Sequence, residues 1–139
     1  MSAVPLVGHA SLDDILAWRP SGPVGVRQFL ADAASLAAQL PAGGNFLNVC
    51  QDRYRFTVGL AAGLIGGRIS LQPAAQSAET LRQIKAAHPD VFCLCDGDFA
   101  SGGLPRFAFP ELAAVDPEKP VEIPEIPADH VAACLFTSG

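Results

Sequence analysis

Charge is scarce in this sequence. Only 17% of its 139 residues are Asp, Glu, Lys or Arg, against roughly a quarter in an ordinary soluble domain. The basic kind is the scarcer, nine residues against fourteen acids, and it forms no run. Nucleic acids and anionic membrane surfaces are held by clustered Lys and Arg, so neither is an expected partner. Long apolar runs are missing as well. The most continuous one, residues 56–67 between Arg55 and Arg68, falls short of the roughly 20 residues of a membrane span. No basic stretch leads into an apolar core near the start, and Asp13 and Asp14 come early. A secretory leader is therefore not read, and the expected setting is cytoplasmic. The four cysteines, Cys50, Cys93, Cys95 and Cys134, lack the spacing of a disulfide framework. A Cys-x-Cys without a second close pair is also a poor zinc signature. They read as small hydrophobes in a reducing compartment.

Several nucleotide and hydrolase signatures are absent too. There is no G-x-x-x-x-G-K-[ST], no G-x-G-x-x-G after a strand, and no G-x-S-x-G elbow around Ser138. Asp96-Gly97-Asp98 starts like a calcium loop but lacks its later Gly and bidentate Glu, and reads as a turn. Of the histidines, His9 falls in an N-terminal segment expected to be mobile, and His88 near a helix end. His130 stands beside Asp129, a pair that can orient a general base, but no nucleophile accompanies it. No catalytic residue is assigned.

What is present is apolar material, half of all residues, enough for one packed domain or a piece of a larger one. Its pattern predicts a short first helix over residues 11–18, with Ser11 as cap and Asp13 and Asp14 in the first turn. Pro20, Gly22 and Pro23 break the chain, and residues 24–26 read as extended. Phe29, Ala33, Leu36 and Leu40 place a second helix over residues 27–40. A buried strand at 46–50 precedes a third helix, capped by Asp52 and running to about residue 65. That helix is apolar nearly all round, which marks burial on more than one side. Gly59, Gly63 and Gly67 recur every four residues, a smooth ridge suited to close helix–sheet contact.

Further strands are predicted at 69–71, 91–95, 106–109 and 131–137, with a helix over 77–87 capped by Ser77. In the strand at 91–95 Cys93 and Cys95 share one face, with Leu94 opposite. Residues 116–129, with four prolines and several acids, read as an extended connector. Strands alternating with helices imply an α/β fold with a mostly parallel sheet and flanking helices.

The chain ends on a buried strand running into Thr137-Ser138-Gly139. Hydroxyls and free backbone N–H groups after a strand suit phosphate oxygens, and glycine permits their close approach. The whole stretch Asp129-His130-Val131-Ala132-Ala133-Cys134-Leu135-Phe136-Thr137-Ser138-Gly139 resembles the approach to the phosphate loop of the acyl- and aryl-adenylate-forming superfamily, the AMP-dependent synthetases and ligases. Earlier segments resemble that family in order: 27–40 its early helix, 45–50 the following strand, 52–67 its Ala/Gly-rich helix, and 80–95 its next helix and strand. Residues 24–139 are thus covered, the terminal motif being the specific part.

The resemblance implies residues 1–139 as the N-terminal portion of an AMP-binding domain, truncated within the phosphate loop, with no second domain. It implies a whole protein that activates a carboxylic acid with ATP and Mg²⁺, then passes the acyl group to the thiol of CoA or of a carrier protein. Thr137, Ser138 and Gly139 would contact the phosphates. The loop's second half with its Lys, the acyl pocket and the C-terminal domain are missing, so the 139 residues alone are expected to be inactive. Their truncated edge would expose apolar surface and invite self-association. The alternative is a complete small α/β binding or scaffold module, with Thr-Ser-Gly as a plain tail.

Overall fold

The computed structural model of the protein describes residues 2–73, 77–98, 103–112, 116 and 118–136. Its first elements are three short strands, β1 (Ala3–Pro5), β2 (Ile15–Arg19) and β3 (Gly22–Gly25). Residues 11–18 are thus not the expected helix. β2 and β3 form an antiparallel hairpin with Arg19 opposite Gly22 and a bulge between Ile15 and Ala17. The helix-start signals are consumed in a local turn: Ser11 Oγ accepts the Asp13 N–H, and the Asp14 carboxylate accepts the Ser11 N–H. Ser and Asp offer the backbone such alternatives to a helix. Ile15, Leu16 and Trp18 then favour a strand.

The hairpin leads into α1 (Val26–Gln39), whose N-cap Gly25 has no side-chain oxygen to offer. The turn supplies partners instead, the Asp14 and Leu12 carbonyls accepting the N–H groups of Val26 and Arg27. β4 (Asn45–Asn48) follows, then α2 (Arg53–Ile65), capped by the Asp52 carboxylate on the Arg55 N–H. Next come β5 (Ile69–Pro73), α3 (Ala78–Ala87), β6 (Phe92–Cys95), β7 (Arg106–Ala108), β8 (Glu125–Pro127) and β9 (Ala133–Phe136). Ser77 caps α3 as expected, accepting the Thr80 N–H.

Among the described residues, five strands form the main sheet, in the order β7-β6-β4-β5-β9, every neighbouring pair parallel. The α/β architecture with a parallel sheet and flanking helices is therefore observed. One face carries α1 and α2 over Phe46, Phe92 and Leu94. The other carries Leu81 and Ile84 of α3 over Leu47, Leu71 and Cys93. Adjacent residues of β6 thus serve opposite cores, as period-two alternation requires.

α2 lies close on the sheet because Gly59 and Gly63 lack side chains. A Cβ on Gly59 would stand 2.7 Å from Asn48 Nδ2 and 2.8 Å from Leu94 Cδ2, and one on Gly63 would stand 2.9 Å from Phe46 Cε1. Gly67, the third of the spaced glycines, has a different task. It sits beyond the helix end at φ +70°, with nothing within 4 Å of where its Cβ would be, the left-handed position that terminates helices.

The N-terminal segment and the proline-rich connector depart from expectation together. β1 pairs antiparallel with β8, Val4 opposite Ile126, and the Leu6 N–H donates to the Pro124 carbonyl. Their pairing is long-range, so neither segment announced it locally.

Candidate functional site

In open parallel sheets, ligands gather outside the carboxyl ends of the strands, where neighbouring connections leave in opposite directions. Here that place is between β4 and β6: the chain goes from β4 to β5 on one side and returns across to β6 on the other. The two strand ends meet around Asp96. Its carboxylate accepts the backbone N–H groups of Gln51 at 2.8 Å and Asp52 at 3.0 Å. The Arg55 guanidinium lies 3.9 Å away. Burial alone would raise the Asp96 carboxyl, but the two backbone donors and Arg55 together hold it below its ordinary value. This crevice is closed by the protein's own anion, which meets the backbone donors that lead into the N-terminus of α2. Asp52 closes it further, accepting from the Arg55 N–H at 2.9 Å and pairing with Arg19 at 3.2 Å.

An open cleft of about 480 Å³ adjoins this lock. The first turn of α2 supplies Tyr54 and Arg55, α1 supplies Gln28 and Asp32, and the segment after β7 supplies Phe109 and Glu111. Asp32 is buried mid-helix, 7% exposed. Tyr54 Oη and Gln28 Nε2 each donate to it at 2.6 Å. Burial, then the bond to Asp32, pushes the Tyr54 phenol up, so it stays a hydrogen-bond donor. Sequence reasoning passed over Asp32. The signal was available, since an acid four residues after Gln28 stands on the apolar side of α1 between Phe29 and Ala33.

The cysteines are free thiols. Burial raises Cys50 to about 12 and Cys93 to about 11, neighbouring Asp96 and Cys95 adding to the effect at Cys50 and Cys95 at Cys93. Such thiols are poor nucleophiles. Among the described residues no three His, Cys, Asp or Glu side chains converge to hold a metal ion. His130 does not turn toward Asp129. Its Nε2–H donates to the Arg68 carbonyl at 2.8 Å, tying the approach to β9 against the start of β5. His88 caps α3, its Nδ1 2.9 Å from Asn45 Nδ2, and His9 is exposed.

The sequence-based candidates, Thr137, Ser138 and Gly139, lie outside the described residues. The strand that leads to them is described. Among the described residues β9 is an edge strand, parallel to β5, with Leu71 opposite Cys134 and Pro73 opposite Phe136. Its carboxyl end therefore points the same way as those of β4, β5, β6 and β7. Leu135 is 79% exposed on it.

No protein-family model and no curated protein sequence matches the chain. Among solved structures, o-succinylbenzoate CoA synthetase (MenE) from Bacillus subtilis has a similar fold. In its complex with the acyl-adenylate intermediate OSB-AMP it aligns at a TM-score of 0.62 and 16% identity, over 86% of this chain and 34% of that one. In complex with AMP the TM-score is 0.66 at 16% identity, over 90% of this chain and 35% of that one. The chain thus spans about a third of the length of the structures it matches, and it has the fold of the N-terminal part of an adenylate-forming enzyme. Among the described residues, no helix is long and apolar enough to cross a membrane.

Proposed function

We propose that the chain is the N-terminal segment of the large domain of an ATP-dependent carboxylate-activating ligase working in the cytoplasm. In the whole protein the carboxylate oxygen attacks the α-phosphorus of ATP and pyrophosphate leaves. A thiol of CoA or of a carrier protein then displaces AMP from the acyl carbon. Thr137, Ser138 and Gly139 open the loop that holds the phosphates, their hydroxyls and N–H groups supplying donors where charge develops. The rest of the phosphate site, the Mg²⁺ ligands and the acyl pocket belong to other parts of the protein.

One observation carries this reading. An outer parallel strand runs directly into Thr-Ser-Gly, within a fold similar to an enzyme whose structure holds an acyl-adenylate. The closure of the β4–β6 crevice by Asp96 fits it, because phosphate recognition is left to another strand end.

The test is carboxylate-dependent exchange of labelled pyrophosphate into ATP by the full-length protein. Exchange is expected with at least one acid of an aromatic and fatty acid panel. Ser138→Ala is expected to lower it by about 100- to 1,000-fold, the range for loss of one preorganised donor. Exchange that is absent with every acid, or untouched by both Thr137→Ala and Ser138→Ala, overturns the proposal.

A further inference from the structure

The cleft beside the first turn of α2 has a chemistry separate from the phosphate strand. Its volume of about 480 Å³ lies within the range of small-molecule sites. Its lining carries both signs of charge: Arg19 and Arg55 against Asp32 and Glu111. The two guanidiniums are braced from behind, Arg19 by the Tyr54 ring at 4.8 Å and Arg55 by the Phe109 ring at 5.6 Å. Each keeps donors to spare. Arg19 gives one bond to Asp52, and Arg55 meets Asp96 only at 3.9 Å, out of five N–H groups apiece.

The carboxylates are equally available. Neither Asp32 nor Glu111 forms an ion pair among the described residues. Each Asp32 oxygen accepts one bond from a neutral donor, Gln28 or Tyr54, which leaves a further lone pair on each. A buried carboxylate without a cation is costly, and it is relieved by an ammonium entering from the cleft. Val24, Phe109 and Leu112 complete the lining with apolar surface.

We propose that this cleft binds a small zwitterion, an α-amino acid with an apolar side chain. Its ammonium is held by Asp32 and Glu111, its carboxylate by Arg55 and Arg19, and its side chain by the apolar wall. The amino acid is bound and released unchanged. The site uses none of Thr137, Ser138 and Gly139, so it stands or falls independently of the ligase reading.

The experiment is an amide NMR titration of the ¹⁵N-labelled chain with L-phenylalanine. Saturable shifts are expected at Arg19, Gln28, Arg55 and Phe109. Phenethylamine retains only the ammonium and 3-phenylpropionate only the carboxylate. Each is expected to bind about tenfold or more weakly, because a charge-assisted bond is worth about that factor. Glu111→Gln at an exposed position and Arg55→Met at a half-buried one are each expected to weaken phenylalanine about tenfold while keeping the dispersed spectrum of the folded chain. Arg55→Met is further expected to bind phenylalanine no better than phenethylamine. Absence of saturable shifts up to about a thousandfold excess over a micromolar chain, shifts lying outside the cleft, or equal binding of phenethylamine by the unaltered chain overturns the proposal.

Discussion

Asp96 joins two strand ends through one carboxylate, and that makes it the residue whose loss reads out most simply. Asp96→Asn keeps the shape but weakens the acceptor for the Gln51 and Asp52 N–H groups. A cost of about 1–3 kcal/mol is expected, measured by urea unfolding. The pH dependence has a definite sign. The folded carboxyl is held below its ordinary 3.8, so its contribution is complete above that value and is lost as pH falls through the lower folded value. Unfolding midpoints followed down to about pH 2 should fall less steeply in Asp96→Asn than in the parent. The thiols behave oppositely. Cys50 and Cys93 are raised to about 12 and 11 from 9.0, so folding holds their protons. Their contribution is present below pH 9 and is lost as pH climbs toward those folded values. In a thiol titration at pH 8, these two are expected to react only on addition of denaturant, well after the partly exposed Cys134.

At the scale of the element, α2 shows why a helix carries glycines that lower its intrinsic stability. Gly59→Ala gains about 1 kcal/mol of helix propensity, yet its methyl meets Asn48 and Leu94 at under 3 Å. Asn48 Nδ2 already donates to the Phe56 carbonyl at 2.9 Å, so that side chain cannot retreat without losing a bond. Overpacking is expected to win, with a net loss of about 1–3 kcal/mol by thermal or urea unfolding. Gly63→Ala should behave alike against the Phe46 ring. Stabilisation by either substitution would show that the helix moves off the sheet at little cost. The regular helices were legible in the sequence because their apolar spacing and caps agree, as Asp52 and Ser77 illustrate. Ser11 misled for a physical reason. A Ser-x-Asp-Asp stretch caps a helix or closes a turn equally well, and Ile15 and Trp18 decide between them only when β3 pairs alongside.

For the whole molecule, the edge at β9 is the feature with consequences. Leu135 is exposed there and the outer backbone groups of an edge strand are open to pairing. The 139-residue chain in isolation is expected to associate as its concentration rises. Leu135→Lys should reduce that association in sedimentation velocity runs, since a charge on an edge strand opposes pairing. On the proposed ligase reading, the same chain is expected to form no acyl-AMP from any acid, whereas the full-length protein is expected to support pyrophosphate exchange. Acyl-AMP made by the isolated chain would place the catalytic groups within these residues, against the proposal.

Local patterning determined the class of fold, the three helices with their ends, and the strands of the parallel sheet, because amphipathic period and capping act over a few residues. It also marked Thr137-Ser138-Gly139, through a resemblance that the described fold bears out at the level of architecture. Tertiary structure alone decided the rest. The strand order, the pairing of β1 with β8, the Asp96 lock and the cleft around Asp32 all join residues far apart in the chain. Such contacts depend on which faces meet once the sheet is assembled, and no local spacing encodes that.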